Sequence, residues 1–565
     1  MKEKKKILIV TAFPTHGAGS GALITTQSKS YVEDGHEVVI ITGNNRTDFD
    51  KLDGVRYHVV PFTAETENPE KIEGQCDFNY LMFTTHTEST ANFWNANLEQ
   101  IEEYMQVFES AIGEEIGKFN PDIVHAQHNW ITSSILSKFN KPVVLTIHGT
   151  DLMGYEKSIE ELQKVNQRIE EVKQKALDGK DTQTIQNMEE LEHVYKKYSS
   201  KKQILRDIKK LMDNGKIQTT REQLEELVRL YDEKTKYELY IKYAEKSAKT
   251  ANRIIVISED QKKEFIRLFP NNQDKVRLLE NGYDAQTFYM DEDVKKDAVL
   301  PADKSDYDNL VLFVGKFADF KGIDALLNAA KIYESDMKLG KKVETLIVGS
   351  GALDEKLREQ ATQLGLENTH FLGRKSHQEI CKLQNLADVS IIPSRNEPFG
   401  LVVIEGTACG HPVIATNAGG IPGILNTENA NISDKSQTYK TPLGILVPPL
   451  PDRNDKLDDK QKDELDKFMT EYVVTKDEDK DKLIDEICNN LNLPKDVVIN
   501  YTNAYMRTIK GISDSVIEIV SKKGEFNNEE IAKYTKDRYS QDTIRNKLLG
   551  IFDEAVRDHS MAQDR

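Results

Sequence analysis

Short apolar runs alternate with helical stretches along residues 5 to 150. The runs occupy residues 7–10, 38–41, 123–124 and 143–145, and valine and isoleucine dominate them. Runs this short and this apolar are typical of strands buried on both faces, and the helical stretches between them provide the crossovers that a parallel sheet needs. The pattern therefore restricts this part of the chain to an α/β domain with a parallel sheet covered by helices.

The alternation stops at about residue 155 and resumes at about residue 251. Between 155 and 250 nearly every residue is a helix former or charged, and apolar positions recur at helical spacing around a break at 213–215. This pattern predicts a helical hairpin or small bundle that projects from the sheet domain. Three roles stay open for it: a solvated spacer, an oligomerisation arm, or a wall of a substrate site.

A second series of strands and helices follows, as expected for a chain of 565 residues, which exceeds what one hydrophobic core usually supports. An acid-rich stretch at about 451–512 predicts a helical addition on the surface of this second domain. The last helical stretch, from Tyr539, has the apolar spacing of a helix that packs onto a domain. The predicted strands are residues 253–258, 310–314, 345–348, 389–392 and 412–415.

A net charge of −18 argues against a general nucleic-acid-binding protein, because neutralising phosphates requires a basic surface. No stretch approaches the roughly 18 apolar residues of a membrane span, which leaves only peripheral membrane contact open. The basic N-terminal stretch precedes an apolar run only one strand long, so we expect a strand there rather than a secretion signal. Four cysteines without metal-ligand spacing or a paired framework indicate a reducing compartment, and we expect a cytoplasmic location.

A glycine-rich turn with glycines at 17, 19 and 21 follows the first strand and precedes a helix, where backbone amides can approach a ligand closely. Its spacing departs from the dinucleotide-binding pattern, so a simple tight turn is an equally good interpretation. In the second domain, Lys316 and Lys321 lie five residues apart after the strand at 310–314. Ligands of open α/β sheets bind beyond the strand ends, and two cations suit a pyrophosphate, although isolated lysines are usually surface charges.

Two carboxylates, Glu397 and Glu405, lie eight positions apart with a Pro-Phe-Gly turn between them and a predicted helix start at the second. One carboxylate can reach sugar hydroxyls while the other accepts hydrogen bonds from a ribose, and the helix N-terminus between them favours phosphate. A carboxylate pair at this spacing is common by itself. The complete string, residues 393–406 followed by 409–416 and Gly419-Gly420, is specific.

This string resembles glycosyltransferase family 4, a group of retaining enzymes, and the resemblance covers residues 5–154, 251–450 and the final helix. It implies an α/β fold with two Rossmann-like domains facing a cleft, the GT-B type, and a largely helical insertion in the N-terminal domain. Further motifs that fit lie at 121–126, 148–151, 281–284, 371–374 and 444–449. The implied domains are 1–154 (N-terminal, acceptor side), 155–250 (insertion), 251–290 (end of that domain and linker), 291–538 (nucleotide-sugar domain) and 539–565 (a helix packing back on the N-terminal domain).

The resemblance also implies roles for individual residues. Glu397 would bind hydroxyls of the transferred sugar, and Lys316 and Lys321 would neutralise the departing diphosphate, although the family usually has arginine at the position of Lys316. His148 would lie beside the donor sugar, near the anomeric carbon. The remaining donor-binding residues would be Gly19, Gly315, Arg374, Phe399, Gly400, Leu401, Val402 and the ribose ligand Glu405, and the candidate acceptor residues are His16, His128, Asn129 and Trp130.

The implied reaction is front-face substitution, in which a phosphate oxygen of the leaving group takes the proton of the acceptor hydroxyl. This chemistry needs positioning and charge neutralisation, and we expect no cofactor and no metal requirement. The donor would be a nucleotide diphosphate sugar, most often a UDP-hexose or UDP-N-acetylhexosamine in this family, and the acceptor a sugar, a lipid-linked sugar or a small molecule. Alternatives are a sugar-nucleotide epimerase, a phosphorylase, or a non-enzymatic partner of another transferase, and the insertion offers a surface for homo-oligomerisation.

Overall fold

The computed structural model describes residues 4–15, 19–45, 49–63, 76–83, 89, 91–198, 200–295, 307–335, 343–427, 431–451 and 457–563. The chain divides into two compact units. The first unit consists of Met1–Ile257, Lys262–Leu279 and Arg545–Arg565, and the second of Ser258–Gln261 and Glu280–Ile544.

The first unit is built around a seven-stranded parallel sheet with the strand order β3-β2-β1-β4-β5-β6-β7. Five of its strands are buried at every residue or at every residue but the first, as their valine and isoleucine content predicts. The strands are β1 (Lys6–Thr11), β2 (Glu37–Asn44), β3 (Val55–Pro61), β4 (Ile123–Gln127), β5 (Val143–Thr146), β6 (Arg253–Val256) and β7 (Val276–Leu278). The helices are α1 (Gly19–Glu33), α2 (Leu98–Phe119), α3 (Ile131–Ile135), α4 (Gly149–Asp178), α5 (Thr182–Lys197), α6 (Lys201–Asp213), α7 (Arg221–Thr250) and α8 (Glu259–Leu268).

The predicted helical insertion is present as α4 to α7, between β5 and β6, but it does not simply project from the sheet domain. On α7, the Tyr240 hydroxyl donates to the backbone carbonyl of Phe93 at 2.5 Å, and its ring centroid lies 5.2 Å from that of Trp130. Lys236 on the same helix donates to the backbone carbonyl of Trp94 at 2.6 Å. The insertion therefore also covers the apolar face of the first unit.

The second unit contains another seven-stranded sheet, with the order β10-β9-β8-β11-β12-β14-β13, in which only the β13–β14 pair is antiparallel. Its strands are β8 (Asn309–Val314), β9 (Val343–Val348), β10 (Thr369–Gly373), β11 (Val389–Ile392), β12 (Val413–Thr416), β13 (Tyr439–Thr441) and β14 (Gly444–Val447). Its helices are α9 (Ile323–Glu334), α10 (Asp354–Gln363), α11 (His377–Leu386), α12 (Leu401–Ala408), α13 (Ile421–Leu425), α14 (Asp459–Val474), α15 (Lys480–Leu491), α16 (Lys495–Ser521) and α17 (Asn528–Tyr539).

The described part of the acid-rich stretch, residues 457–512, is mostly helical, but the prediction of a surface addition is wrong for its last part. Helix α16 packs against α9 and the sheet, and its Tyr505, Ile509 and Ile512 are fully buried in the core of the second unit. The acidic residues that precede α16 obscure its apolar stripe, whose helical spacing is what places it against the sheet.

The last helix, α18 (Gln541–Gln563), reaches the first unit with its residues from 545 onward. Glu554 accepts hydrogen bonds from Arg253 on β6 at 2.8 Å and from Arg277 on β7 at 2.9 Å. Phe552 is fully buried, with its ring centroid 5.2 Å from that of His125. The described part of the chain has no helix both long and apolar enough to cross a membrane.

Both sheets share the strand order of a doubly wound fold, which confirms the prediction of two Rossmann-like α/β domains with a helical insertion in the first. In such sheets the order reverses at a switch point, and ligands bind at the carboxyl ends of the strands there. The switch points lie between β1 and β4 in the first unit and between β8 and β11 in the second. The loops that leave these strands are therefore the places to look for a site.

Candidate functional site

The switch point of the second unit brings a lysine and a glutamate into contact. Lys321 follows β8, Glu397 follows β11, and the Lys321 Nζ lies 2.5 Å from the Glu397 Oε2. Their side chains are 17% and 13% exposed, so the pair is largely shielded but still reachable from solvent. Two of the residues predicted from the sequence are thus neighbours although 76 positions separate them.

Glycines allow the loops around this pair to approach each other closely. A Cβ added at Gly322 would lie 2.0 Å from the Pro393 carbonyl oxygen, and one at Gly419 would lie 2.1 Å from that of Glu397. Gly420 donates its backbone N–H to the Glu397 carbonyl at 2.8 Å. Because Gly322 and Gly419 also have positive φ angles, other residues would be strained at both positions. The backbone of Glu397 is therefore held between these loops.

An arginine that the sequence does not single out clamps the two loops together. Arg395 donates to both carboxylate oxygens of Asp324, at 2.7 and 2.6 Å, and to the carbonyl of Asp319 at 2.9 Å. The hydroxyl of Tyr505, on α16, donates to the same carboxylate at 3.0 Å. Asp324 is the second residue of helix α9 and lies three residues after Lys321, and Arg395 lies two residues before Glu397. The clamp therefore fixes the segments that carry the Lys321–Glu397 pair.

Helix α12 begins four residues after Glu397. Its N-cap, Gly400, has a φ of 114°, and the backbone amides of Leu401 and Val402 lie in the first turn, where helices have N–H groups without intrahelical acceptors. Phe399 is buried beside Tyr539, with the ring centroids 6.3 Å apart. This start of a helix is suited to hold an anion.

Glu405 lies on α12 and is partly buried. Its carboxylate has no hydrogen-bond partner among the described residues, and burial raises its pKa to about 8, against a smaller opposing effect from Lys321. A shielded carboxylate without donors is costly to ionise. Donor groups of a ligand would relieve that cost, which fits a site for a ribose.

Three other predicted donor residues lie along the same sheet edge without joining the ion pair. Lys316 is exposed, and its ammonium group forms no hydrogen bond or ion pair with the described residues. A Cβ added at Gly349 would lie 1.8 Å from the Gly315 carbonyl oxygen, so the loops after β8 and β9 contact each other closely. The Arg374 Nε donates to the Ser350 hydroxyl at 2.7 Å, and this exposed pair follows β10 and β9.

The switch point of the first unit carries a buried histidine–aspartate pair. His128 follows β4 with a φ of 72°, which is unusual for a residue other than glycine, and its Nδ1 lies 2.7 Å from the Asp151 Oδ1. The other oxygen of Asp151 accepts the backbone N–H groups of Asn129 and His148, at 3.0 and 2.9 Å. Burial opposes ionisation of Asp151, but the contacts with His128 and His148 outweigh it and lower its pKa. Asp151 thus orders the whole loop.

His148 is the N-cap of α4, and its ring lies against that of His128, with the centroids 4.4 Å apart. Its Nε2 lies 2.9 Å from the side-chain oxygen of Gln127, the last residue of β4. Burial, with a further contribution from His128, lowers the pKa of His148 to about 3, so its ring is neutral at pH 7. A neutral ring supplies no positive charge to a ligand, and its single N–H is already directed at the Gln127 oxygen.

The loop after β4 leaves three consecutive buried polar atoms unsatisfied. His128 Nε2, Asn129 Oδ1 and Trp130 Nε1 have no hydrogen-bond partner among the described residues. Buried polar groups are seldom left unpaired, so these atoms are candidates for hydrogen bonds with a ligand or water. Trp130 itself is 1% exposed, with its ring centroid 4.8 Å from that of Phe83, so its ring is part of the core and offers no free stacking face.

Of the remaining candidates, Gly19 is the first residue of α1, and His16 lies outside the described residues. Gly21, on the same helix, has no room for a side chain, because a Cβ there would lie 2.8 Å from the carbonyl carbon of Thr15.

Four residues that order these sites are not identified as site residues by the sequence analysis: Asp151, Gln127, Arg395 and Asp324. Asp151 had a local signal, since it is the third residue of a helix capped by His148. The described residues contain no cluster of three or more side chains suited to a metal ion.

Comparison with known proteins gives a family for part of the second unit. Residues 297–437 match the family model described as glycosyl transferases group 1. This range includes Lys316, Lys321, Glu397 and Glu405, the residues of the predicted donor site, and it spans β8 to α13.

Two curated relatives are similar to about a third of the chain. An uncharacterised glycosyltransferase of Methanocaldococcus jannaschii is 31% identical over 186 residues, which cover 33% of this chain and 45% of the relative. A D-inositol 3-phosphate glycosyltransferase of Saccharomonospora viridis is 33% identical over 187 residues, 32% of this chain and 42% of that protein. The chain thus spans less than half the length of the curated relatives it matches.

Among solved structures, sucrose-phosphate synthase from Thermosynechococcus elongatus is similar over 95% of this chain and 98% of its own, with 17% identity and a TM-score of 0.47. At these values the likeness supports no conclusion of its own. The match to the family model does include the segment that carries the Lys321–Glu397 pair. Residues 297–437 of the chain are thus similar to the glycosyl transferases group 1 family.

Proposed function

We propose that the protein is a retaining glycosyltransferase that moves a hexose or N-acetylhexosamine from a nucleotide diphosphate sugar to an acceptor hydroxyl. The observation that carries the proposal is the Lys321–Glu397 ion pair at the switch point of the second unit, within the segment matched by the group 1 family model. An ammonium group suits the diphosphate and a carboxylate suits sugar hydroxyls, so the pair brings together the two groups that a donor needs.

The donor occupies the loops at the strand ends of the second unit. Glu405 accepts hydrogen bonds from the ribose, and the backbone amides of Leu401 and Val402 hold phosphate oxygens at the start of α12. Lys321 exchanges its contact with Glu397 for the diphosphate, which frees the Glu397 carboxylate for the sugar. Lys316, exposed and unpaired among the described residues, adds a second cation that can move toward the leaving group.

The chemistry is substitution on the face from which the diphosphate leaves. The bond from the anomeric carbon to the phosphate oxygen breaks as the acceptor oxygen bonds to that carbon, and a phosphate oxygen takes the acceptor proton. The protein contributes charge neutralisation and positioning, which are the larger part of catalysis for such a leaving group. The acceptor binds at the first unit, where His128 Nε2 and Asn129 Oδ1 are buried and unsatisfied.

A donor panel tests the proposal without knowledge of the acceptor. The purified protein is incubated in chelator with UDP-, GDP- and ADP-linked glucose and N-acetylglucosamine, and nucleoside diphosphate release is followed. We expect slow release from one base family, with water as the acceptor, and a first sugar product that keeps the anomeric configuration by NMR. Inversion of that configuration contradicts a retaining enzyme, an isomerised sugar favours the epimerase, and release only with inorganic phosphate favours the phosphorylase.

Glu405 gives the site a specific pH dependence. Ribose hydroxyls favour the ionised carboxylate, so nucleotide binding lowers the Glu405 pKa from about 8 and releases a proton at pH 7. Affinity for the nucleoside diphosphate should therefore rise between about pH 6 and about pH 8, by at most about tenfold per pH unit. Titration calorimetry in buffers of different ionisation enthalpy measures the proton release, and Glu405→Gln should abolish it.

The same shift affects folding in the opposite direction. The folded-state pKa of Glu405 is raised above the unfolded value, so the stability linked to this group is fully present below the unfolded pKa and is lost as the pH rises toward about 8. Glu405→Gln should consequently melt at a higher temperature than the unchanged protein above pH 8. Equal melting temperatures there would show that the carboxylate is well solvated and that its pKa is not raised.

A further inference from the structure

Helix α6 belongs to a strongly basic segment of an acidic chain. Residues 196–216 contain eight lysine or arginine residues and two aspartates, a net charge of +6, whereas the whole chain has a net charge of −18. The segment lies in the helical insertion of the first unit, away in sequence from every candidate site residue. We call the outward side of α6, formed by Lys202, Leu205, Arg206, Lys209 and Met212, the basic face.

The two sides of α6 differ sharply in burial. Ile204 and Ile208 are buried and attach the helix to the first unit, whereas Leu205 is 44% exposed and Met212 is 42% exposed. The basic-face residues follow one another at intervals of one or three positions, which places them on one side of the helix. Two large apolar side chains thus stand in solvent among three exposed cations.

The cations of the basic face are not neutralised within the protein. Other lysines of the segment have partners: Lys201 pairs with Asp232, Lys210 with Asp207 at 3.1 Å, and Lys216 with Glu190 at 3.8 Å. Lys202, Arg206 and Lys209 have no ion pair among the residues that the structure describes. The charge on this face is therefore available to an external anion.

We propose that the basic face of α6 binds an anionic lipid surface. Lys202, Arg206 and Lys209 contact lipid phosphates, while Leu205 and Met212 enter the boundary between headgroups and acyl chains. A convex helix face with interleaved cations and apolar side chains suits a flat, fluid anionic surface. A nucleic acid would satisfy the cations but not the exposed leucine and methionine, and the face has no aromatic residue for base stacking.

Vesicle co-sedimentation of the full chain tests this proposal without any nucleotide sugar, so its outcome is independent of the proposed enzymatic activity. The vesicles are phosphatidylcholine alone or phosphatidylcholine with about one-third phosphatidylglycerol, an anionic fraction that gives a negative surface potential. We expect binding only to the anionic vesicles and a loss of binding as salt is raised. Sedimentation with neither type of vesicle would overturn the proposal.

Variants separate the basic face from the overall charge. Each cation near an anionic surface strengthens binding by about fivefold, so Lys202→Gln/Arg206→Gln/Lys209→Gln should bind about a hundredfold more weakly. The matched control replaces three exposed lysines of the second unit, Lys382→Gln/Lys435→Gln/Lys460→Gln, and should bind as the unchanged protein does. Leu205→Ser/Met212→Ser should lower binding while keeping its salt dependence.

Two results would contradict the assignment. Equal losses in the basic-face variant and the matched control would show that bulk charge, rather than this face, governs binding. Unchanged vesicle binding of the basic-face variant, together with a smaller particle in size-exclusion chromatography with light scattering, would mean that the face joins two copies of the chain instead.

Discussion

Glu397→Gln should lower the rate of nucleoside diphosphate release by about a hundredfold to a thousandfold while the fold stays intact, a loss typical of removing one group that stabilises a transition state. The amide keeps the size of the carboxylate but loses its charge, so it can no longer pair with Lys321 at 2.5 Å or accept strong hydrogen bonds from sugar hydroxyls. Steady-state assays with the best donor of the panel measure the effect.

The control for this variant is Glu367→Gln, which removes the charge of an exposed glutamate of the second unit that forms no ion pair among the described residues. It should keep full activity. We also expect nucleoside diphosphate affinity to change little in Glu397→Gln, because the sugar and not the nucleotide contacts this carboxylate. A Glu397→Gln variant with activity within threefold of the unchanged protein, about 0.7 kcal/mol in barrier height, would refute the site assignment.

Asp324→Asn should lower the free energy of unfolding by about 3 kcal/mol. Asp324 and Arg395 have side chains only 13% and 10% exposed, and removal of one partner of such a pair leaves the other charge buried without compensation. The loss should exceed that of Tyr505→Phe, about 2 kcal/mol, which removes one hydrogen bond to the same carboxylate and one that Asn328 donates to the hydroxyl. Urea unfolding of the full chain, followed by circular dichroism, measures both.

The conservative variant distinguishes a clamp that positions the site from one that only stabilises the fold. Arg395→Lys keeps the charge but loses the two-pronged contact with Asp324, so Lys321 and Glu397 should shift relative to each other. We expect weaker binding of the nucleotide sugar relative to the nucleoside monophosphate, which contacts neither residue. If both affinities are unchanged in Arg395→Lys, the clamp contributes stability alone.

Local sequence patterns predicted the parts of the fold that depend on continuous burial. The central strands β1, β2 and β8 contain four or five consecutive apolar residues, and β4 and β11 contain shorter apolar runs. The sequence predicts all five. Strand β3 was not, because it lies at the edge of the sheet and mixes Arg56 and His58 with apolar residues. Helix α16 was misplaced for a related reason, since charged neighbours hid the stripe that buries Tyr505.

The candidate site was predictable where it rests on short motifs and not where it rests on distant pairs. The spacing of Glu397 and Glu405 is visible in the sequence, whereas Arg395 and Asp324 are 71 positions apart and no local pattern joins them. Trp130 is a residue that local sequence assigns to the site although the structure buries it. Its position after β4 suggests a ligand contact, but the aromatic residues that bury it come from distant parts of the chain.

Titration calorimetry of the purified protein against uridine, guanosine and adenosine diphosphates and their sugars, in chelator, tests the central claim most directly. We predict binding of one base family without metal, and a loss of about tenfold or more in Glu405→Gln, because a ribose hydroxyl would lose its charged acceptor. No binding of any nucleotide to protein shown to be folded would contradict the donor site, and would favour a role as a non-enzymatic partner of another transferase.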